Sequence, residues 1–394
     1  LDLKNLIHSR KTLIVLGSGG VGKTTVSAAL ALYAAVEGAH ALALTVDPAR
    51  RLATSLGLES FQEEQRSIDE ALFRRAGLRV AGKLDAAMLD TKSTFDRVIE
   101  TNAPSAELRD RILENRFYRS ASTTLAGSQE YMAMEKLYEI QSDQASPYDL
   151  IVLDTPPSAH ALDFLTAPGR MRGLMDSETF RTMLASFKAV GWRARGGRFS
   201  RLVLSGIGRF VGGDVFMNLL EFFDSLSSMY DGFSARSESV EQLLRSDNVS
   251  FLIVASPAEA SIDEALFLRR TLAEEGMPFG GYVVNRAHLP YVDEVPSCEE
   301  ISQRLEQAML AEPSLRLYDR EICQRAARAT CRRFDFMQRL VRRDAASLAR
   351  LRDSSAEDPI FVVPHFTQDI HDLKGLYRFA SLLVREGRTT SAVS

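Results

Sequence analysis

The stretch Gly17–Thr25, "GSGGVGKTT", decides how this chain folds. It fits G-x-x-x-x-G-K-[ST], with Gly17, Gly22, Lys23 and Thr24 in the fixed places. Glycines let successive backbone N–H groups turn inward around phosphate oxygens. Residues 12–17, "TLIVLG", read as a buried strand by length and β-branching, and 22–38, rich in Ala and Leu, read as a helix. A helix starting at such a loop adds its positive end to the phosphate site. The amides of Gly19, Gly20, Val21, Gly22, Lys23, Thr24 and Thr25 are therefore the expected cradle. Lys23 is placed to balance phosphate charge, and the Thr24 hydroxyl to ligate Mg²⁺.

Working outward, short apolar runs alternate with helical stretches. Further strands are expected at 41–47, 85–90, 149–154, 250–256, 279–285 and 359–364, and further helices at 258–275 and from about 370 to 386. Continuous apolar strands alternating with helices indicate an α/β fold: a doubly wound, mostly parallel sheet covered on both faces. The simplest organisation is one domain over 1–386, with helical inserts at about 91–145, 166–248 and 296–353 and a disordered tail at 387–394.

Bulk properties narrow the function. The 394 residues are 45% hydrophobic and 25% charged, the balance of an ordinary globular protein. A net charge of −4 gives no general attraction to nucleic acid. No apolar run approaches the ~18 residues of a membrane-spanning helix, so any membrane association is expected to be peripheral. Three cysteines (Cys298, Cys323, Cys331) without a C-x-x-C predict a reduced, cytoplasmic protein with no disulfide framework. The chain opens at Leu1 with no signal-peptide pattern.

Two strand-terminal carboxylates complete the expected chemistry. Asp47 ends "ALALTVD" and Asp154 ends "DLIVLD". In an open parallel sheet ligands bind outside the C-terminal ends of the strands, where the glycine loop also lies. Each alone reads equally as a turn or cap residue; together with the loop they become candidates for orienting water and holding magnesium. Asn285 in "VVNRAH" (283–288) has no following Asp of the kind that reads guanine, which favours adenine and hence ATP.

The segments "GSGGVGKTTVSAALALYAA" (17–35), "LTVDPARRLATSLG" (44–57), "YDLIVLDTPPSAHALDFL" (148–165) and "VVPHFTQDIHDLKGL" (362–376) together resemble the ArsA-type ATPases. That family includes arsenite-pump ATPases and ATPases that target tail-anchored membrane proteins. The resemblance implies a dimeric ATP-driven switch, either a homodimer or a heterodimer with a paralogue, with two ATP sites at the interface. Asp47 matches the aspartate that orients the attacking water, Asp154 the aspartate near Mg²⁺, and Asn285 and Pro364 the adenine-contacting positions.

The departures carry their own expectations. The family places a lysine, reaching the partner's phosphates, where this chain has Ser18. Hydrolysis is then expected to be slow, or a cation to come from elsewhere, with Arg50 and Arg51 as candidates. The paired-cysteine zinc clasp of the targeting ATPases is missing: "TCRRFDF" holds Cys331 alone. Cys323 and Cys331, eight apart, read as buried small residues on one helix, or with Cys298 as ligands for a soft metalloid.

The inserts leave a choice. Met171, Leu174, Met175, Met183, Leu184 and Phe187, and then Phe216, Leu219, Leu220, Phe223, Leu226, Tyr230 and Phe233, recur at helical spacing. They form either an adaptable groove for an apolar client or a plain core-facing stripe. The arginines from Arg316 to Arg352 mark either an acidic partner or a solvated helix face. Three functions remain open: a switch that captures or delivers a client, the energising subunit of an anion or metalloid transporter, and a regulatory scaffold ATPase.

Overall fold

The computed structural model describes residues 2–46, 51–56, 65–116, 118–119, 128–143, 145–156, 173, 178, 182, 230–290, 296–312, 319–355, 357–367 and 369–386. Asp47, Arg50, residues 157–165 of the family-like segment "YDLIVLDTPPSAHALDFL", nearly all of the methionine-rich stretch and the tail lie outside them, as does the Arg51 side chain.

In chain order the elements are α1 (Leu3–Ser9), β1 (Thr12–Gly17), α2 (Lys23–Val36), β2 (His40–Thr45), α3 (Arg51–Ser55), β3 (Gln65–Ser67), α4 (Glu70–Arg75), β4 (Lys83–Met88), α5 (Thr91–Asn102), α6 (Ala106–Glu114), α7 (Ser128–Ser142), β5 (Leu150–Asp154), α8 (Tyr230–Leu244), β6 (Val249–Ala255), α9 (Glu259–Glu274), β7 (Phe279–Ala287), α10 (Cys298–Ala311), α11 (Arg320–Ser354), β8 (Ile360–Pro364) and α12 (Leu373–Glu386). The eight strands form one sheet in the order β3-β4-β2-β5-β1-β6-β7-β8. All neighbours run parallel except β3, which pairs antiparallel with β4 at the edge.

Alternation along β1 shows why the sheet needs cover on both faces. Ile14 and Leu16 enter one core, with Phe251, Ile253, Met132 and Leu268. Leu13 and Val15 enter the other, with Val26, Leu30, Leu376 and Phe379. Each fully buried Leu, Ile or Phe contributes about 1.5–3 kcal/mol, so a strand buried on both sides is held about twice over. Helices α2 and α12 cover one face, while α7 and α9 cover the other.

This topology positions the site. The chain builds β2 on one side of β1 and, after β5, moves to β6 on the other. The crevice at such a switch point is where open α/β sheets bind ligands. The C-terminal ends of β1, β2, β5 and β7 bring Gly17, Thr45, Asp154 and Asn285 to that edge.

The cysteine expectation is corrected here. Cys298, at the start of α10, and Cys331, in α11, form a disulfide with Cα atoms 5.6 Å apart. They lie 33 positions apart in sequence and on different helices, so spacing could not reveal the pair. Cys323 is free and buried.

Candidate functional site

The loop between β1 and α2 is shaped by backbone that side chains resist. Gly17, Gly20 and Gly22 all have positive φ, of 145°, 79° and 99°. A Cβ on Gly17 would overlap the Val254 carbonyl, and one on Gly22 would overlap the Asn285 side-chain amide. Gly22 caps α2 with no side-chain hydrogen bond. The first N–H groups of α2 are thus left for a ligand, at the positive end of the helix dipole.

Lys23 is buried, with 7% of its surface exposed. A buried ammonium needs acceptors, and its Nζ donates to Gly17 O at 2.8 Å and to Ser18 O at 2.9 Å. The side chain therefore curls back along the mouth of the loop, where a phosphate would compete for it. The next residue on the helix, Thr24, donates its hydroxyl to Asp154 Oδ2 at 2.7 Å. Thr45 at the end of β2 donates to the same oxygen at 3.1 Å. Asp154 is 1% exposed, and the next residue, Thr155, donates to Val15 O at 2.7 Å, tying the end of β5 to β1. Hydroxyl and carboxylate oxygens are hard donors of the kind magnesium takes, so Thr24 and Asp154 fit that ion.

The sequence-predicted residues divide cleanly. Gly19 through Thr25, Lys23, Thr24 and Asp154 come together at the end of β1. Asn285 reaches the same place from β7, donating from Nδ2 to Val21 O at 2.8 Å. Its Oδ1 accepts from the Arg286 backbone N–H at 2.9 Å. An amide has two N–H bonds and two oxygen lone pairs, so these two contacts use one donor and one acceptor position of Asn285. Pro364 lies at the end of β8, paired in register with Ala287. His365 follows it and donates its N–H to Ala287 O at 2.9 Å. Asp47 and Arg50 lie outside the described residues. Ser18 Oγ sits 3.3 Å from Ser261 Oγ on α9.

Two features escaped the sequence reading. Arg286 donates from Nη1 to Gly20 O at 3.1 Å, so a cation does touch the loop. Beside it, His288 stacks on His365 with ring centroids 5.1 Å apart. His288 donates its backbone N–H (2.9 Å) to Asp344 of α11, and its Nδ1 lies 2.7 Å from the same oxygen. Burial would raise the Asp344 carboxyl, but the hydrogen bonds from His288 and Arg343 outweigh it and hold the group below its usual range. Nothing in the spacing of Asp344 signals this; it is one acidic residue among the arginines of a long helix.

Among the described residues no helix is long and apolar enough to cross a membrane, and no cluster of three His, Cys, Asp or Glu is arranged to hold a metal ion.

Comparison with known proteins adds to this geometry. The sequence profile of the anion-transporting ATPase family, ArsA-type, matches residues 10–313. The chain is 26% identical over 312 residues to ATPase GET3 of Clavispora lusitaniae, covering 75% of this chain and 79% of that protein. It is 27% identical over 298 residues to ATPase GET3 of Rhodotorula glutinis, covering 74% and 75%. It is 26% identical over 291 residues to an ATPase ASNA1 homolog of Babesia bovis, covering 72% and 69%.

Proposed function

The chain belongs to the anion-transporting ATPase family, ArsA-type, and from that premise we propose that it binds and hydrolyses ATP as a dimeric switch that captures or delivers a protein client. One observation carries the reading: Lys23 and the Thr24–Asp154 pair converge at the uncapped start of α2, inside a loop whose glycine backbone would be obstructed by side chains. That arrangement supports a polyphosphate with a hard divalent ion as the ligand.

In this reading the loop amides hold the phosphates. Lys23 exchanges the carbonyls of Gly17 and Ser18 for phosphate oxygens, a change that costs no net hydrogen bond. Thr24 and Asp154 would hold magnesium, which when bound neutralises phosphate charge. Asp47, two residues past Thr45 in the sequence, is the assigned orienter of the attacking water. Asn285 and the turn at Pro364 flank the adenine. Hydrolysis is slow because Ser18 supplies no charge, and the dimer forms from two copies or with a paralogue. The protein works in the cytoplasm and meets membranes peripherally.

The client reading is favoured over metalloid transport by the cysteines. Cys298 and Cys331 are committed to each other and Cys323 is buried, so no thiol is exposed to a soft metalloid.

The test is equilibrium binding of Mg·ATP to purified protein, wild type and Lys23→Ala, with mass in solution measured in ADP and in ATP. Micromolar binding lost in the variant, with a shift toward dimer in ATP, is expected. Wild-type protein that binds no nucleotide overturns the proposal, and a nucleotide-independent monomer overturns its switch.

A further inference from the structure

Two consecutive residues at the end of β7 reach the same loop. Asn285 donates to Val21 O at 2.8 Å and Arg286 to Gly20 O at 3.1 Å. A regular strand forbids this, because neighbouring side chains point to opposite faces. The backbone shows how the alternation is broken. Arg286 has φ +63° and is the one non-glycine residue with positive φ among those described. The pairing of β7 with β8 slips between Val284 and Ala287, so the two residues occupy an irregularity in the ladder. Irregularities of this kind re-aim side chains beside functional sites, and a left-handed arginine persists only where its surroundings hold it. The Arg286 guanidinium has no carboxylate partner among the described residues, so what holds it there is the loop.

The two accepting carbonyls matter because of the peptide plane. In a trans peptide the C=O and the following N–H point in opposite directions within one rigid plane. The Gly20 carbonyl shares its plane with the Val21 N–H, and the Val21 carbonyl with the Gly22 N–H. A donor on each carbonyl from outside therefore turns the two N–H groups toward the inside. It also polarises them, since hydrogen bonds in a chain strengthen one another.

We infer that Arg286 is a positioning residue of the nucleotide site: with Asn285 it clamps two successive peptide planes so that the Val21 and Gly22 N–H groups face the polyphosphate. The inference rests on the ATP reading above and adds a residue to it. Arg286 acts through the loop, so ATP and ADP depend on it alike.

The experiment compares wild type, Arg286→Gly and Arg286→Lys by calorimetric titration with Mg·ATP and Mg·ADP. Glycine removes the side chain while accepting the left-handed backbone, so nucleotide-free protein should keep its melting temperature. Arg286→Gly is expected to weaken both nucleotides by the same factor, about tenfold, the worth of one charge-assisted hydrogen bond. Arg286→Lys should recover most of it. Unchanged affinity in Arg286→Gly overturns the clamp. A loss confined to ATP overturns it too, since that marks direct contact with the terminal phosphate. Should Arg286→Gly fail to fold, Arg286→Gln keeps a donor without the charge. An intermediate, equal loss for both nucleotides is then expected, and wild-type affinity overturns the inference. Wild-type protein that binds neither nucleotide is a separate result, which removes the ATP reading itself.

Discussion

The Thr24 hydroxyl lies 2.7 Å from Asp154 Oδ2, although 130 residues separate the two in sequence. Thr24 sits on the first turn of α2 and Asp154 at the end of β5, so the contact ties the phosphate loop to the neighbouring strand. Substituting either residue should act on magnesium before it acts on nucleotide. Thr24→Ala and Asp154→Asn are expected to raise the Mg²⁺ concentration needed for half-maximal hydrolysis by about tenfold or more. A magnesium titration of the ATPase rate checks this, and an unchanged midpoint in both variants refutes the assignment.

Gly22 and Asn285 should be energetically coupled. Alanine at Gly22 meets two obstacles, a φ of 99° and overlap with the Asn285 amide. The first costs about 1–2 kcal/mol wherever it occurs, while the second vanishes if the amide is gone. Gly22→Ala should therefore cost about 1 kcal/mol less in an Asn285→Ala background than in wild type. Urea unfolding of the four proteins gives the cycle; strict additivity would show that the overlap relaxes freely.

Asp344 should matter most to stability at neutral pH. It is fully buried and accepts from His288 and Arg343. Asp344→Ala leaves those donors without their acceptor and should cost about 3 kcal/mol. The sign with pH follows from its lowered folded-state pKa. Its contribution is complete above the ordinary value of 3.8 and is lost as pH falls below that through the folded value. Asp344→Asn should therefore lose less stability than wild type as pH falls below about 4. A steeper acid loss in the variant would contradict the assignment.

Thiol counting tests the Cys298–Cys331 link. Denatured, air-oxidised protein should show one reactive thiol, that of Cys323, and reduced protein three. Three thiols without reductant would remove the disulfide. If the link holds, its loss in Cys298→Ser should lower stability by about 2–4 kcal/mol in oxidised protein, and by much less under reductant.

The core strands were legible because both faces are buried. A strand with no solvent side shows an unbroken apolar run, so the expectations at 12–17, 149–154 and 250–256 lie within a residue of Thr12–Gly17, Leu150–Asp154 and Val249–Ala255. The expectation at 85–90 ran two residues too far. Asp90 belongs to the next helix, whose start it caps by accepting from the Ser93 N–H at 3.1 Å. The edge strand Gln65–Ser67 had no signal at all. Its three exposed polar residues are extended only because β4 offers them partners.

The chain by itself determined the glycine loop at the end of its first strand and the parallel sheet around it. Those depend on local chemistry: glycine where φ must be positive, apolar residues where both faces are covered, a charge where the helix begins. Only the tertiary structure decided that Arg286 turns onto the loop, that Asp344 anchors His288 beside Pro364, and that Cys298 meets Cys331. Each of these joins elements distant in sequence. The first also needs a left-handed residue within a strand, which strand periodicity predicts against. Side-chain period describes a regular element; it says nothing of where that element breaks, or of which distant element waits at the break.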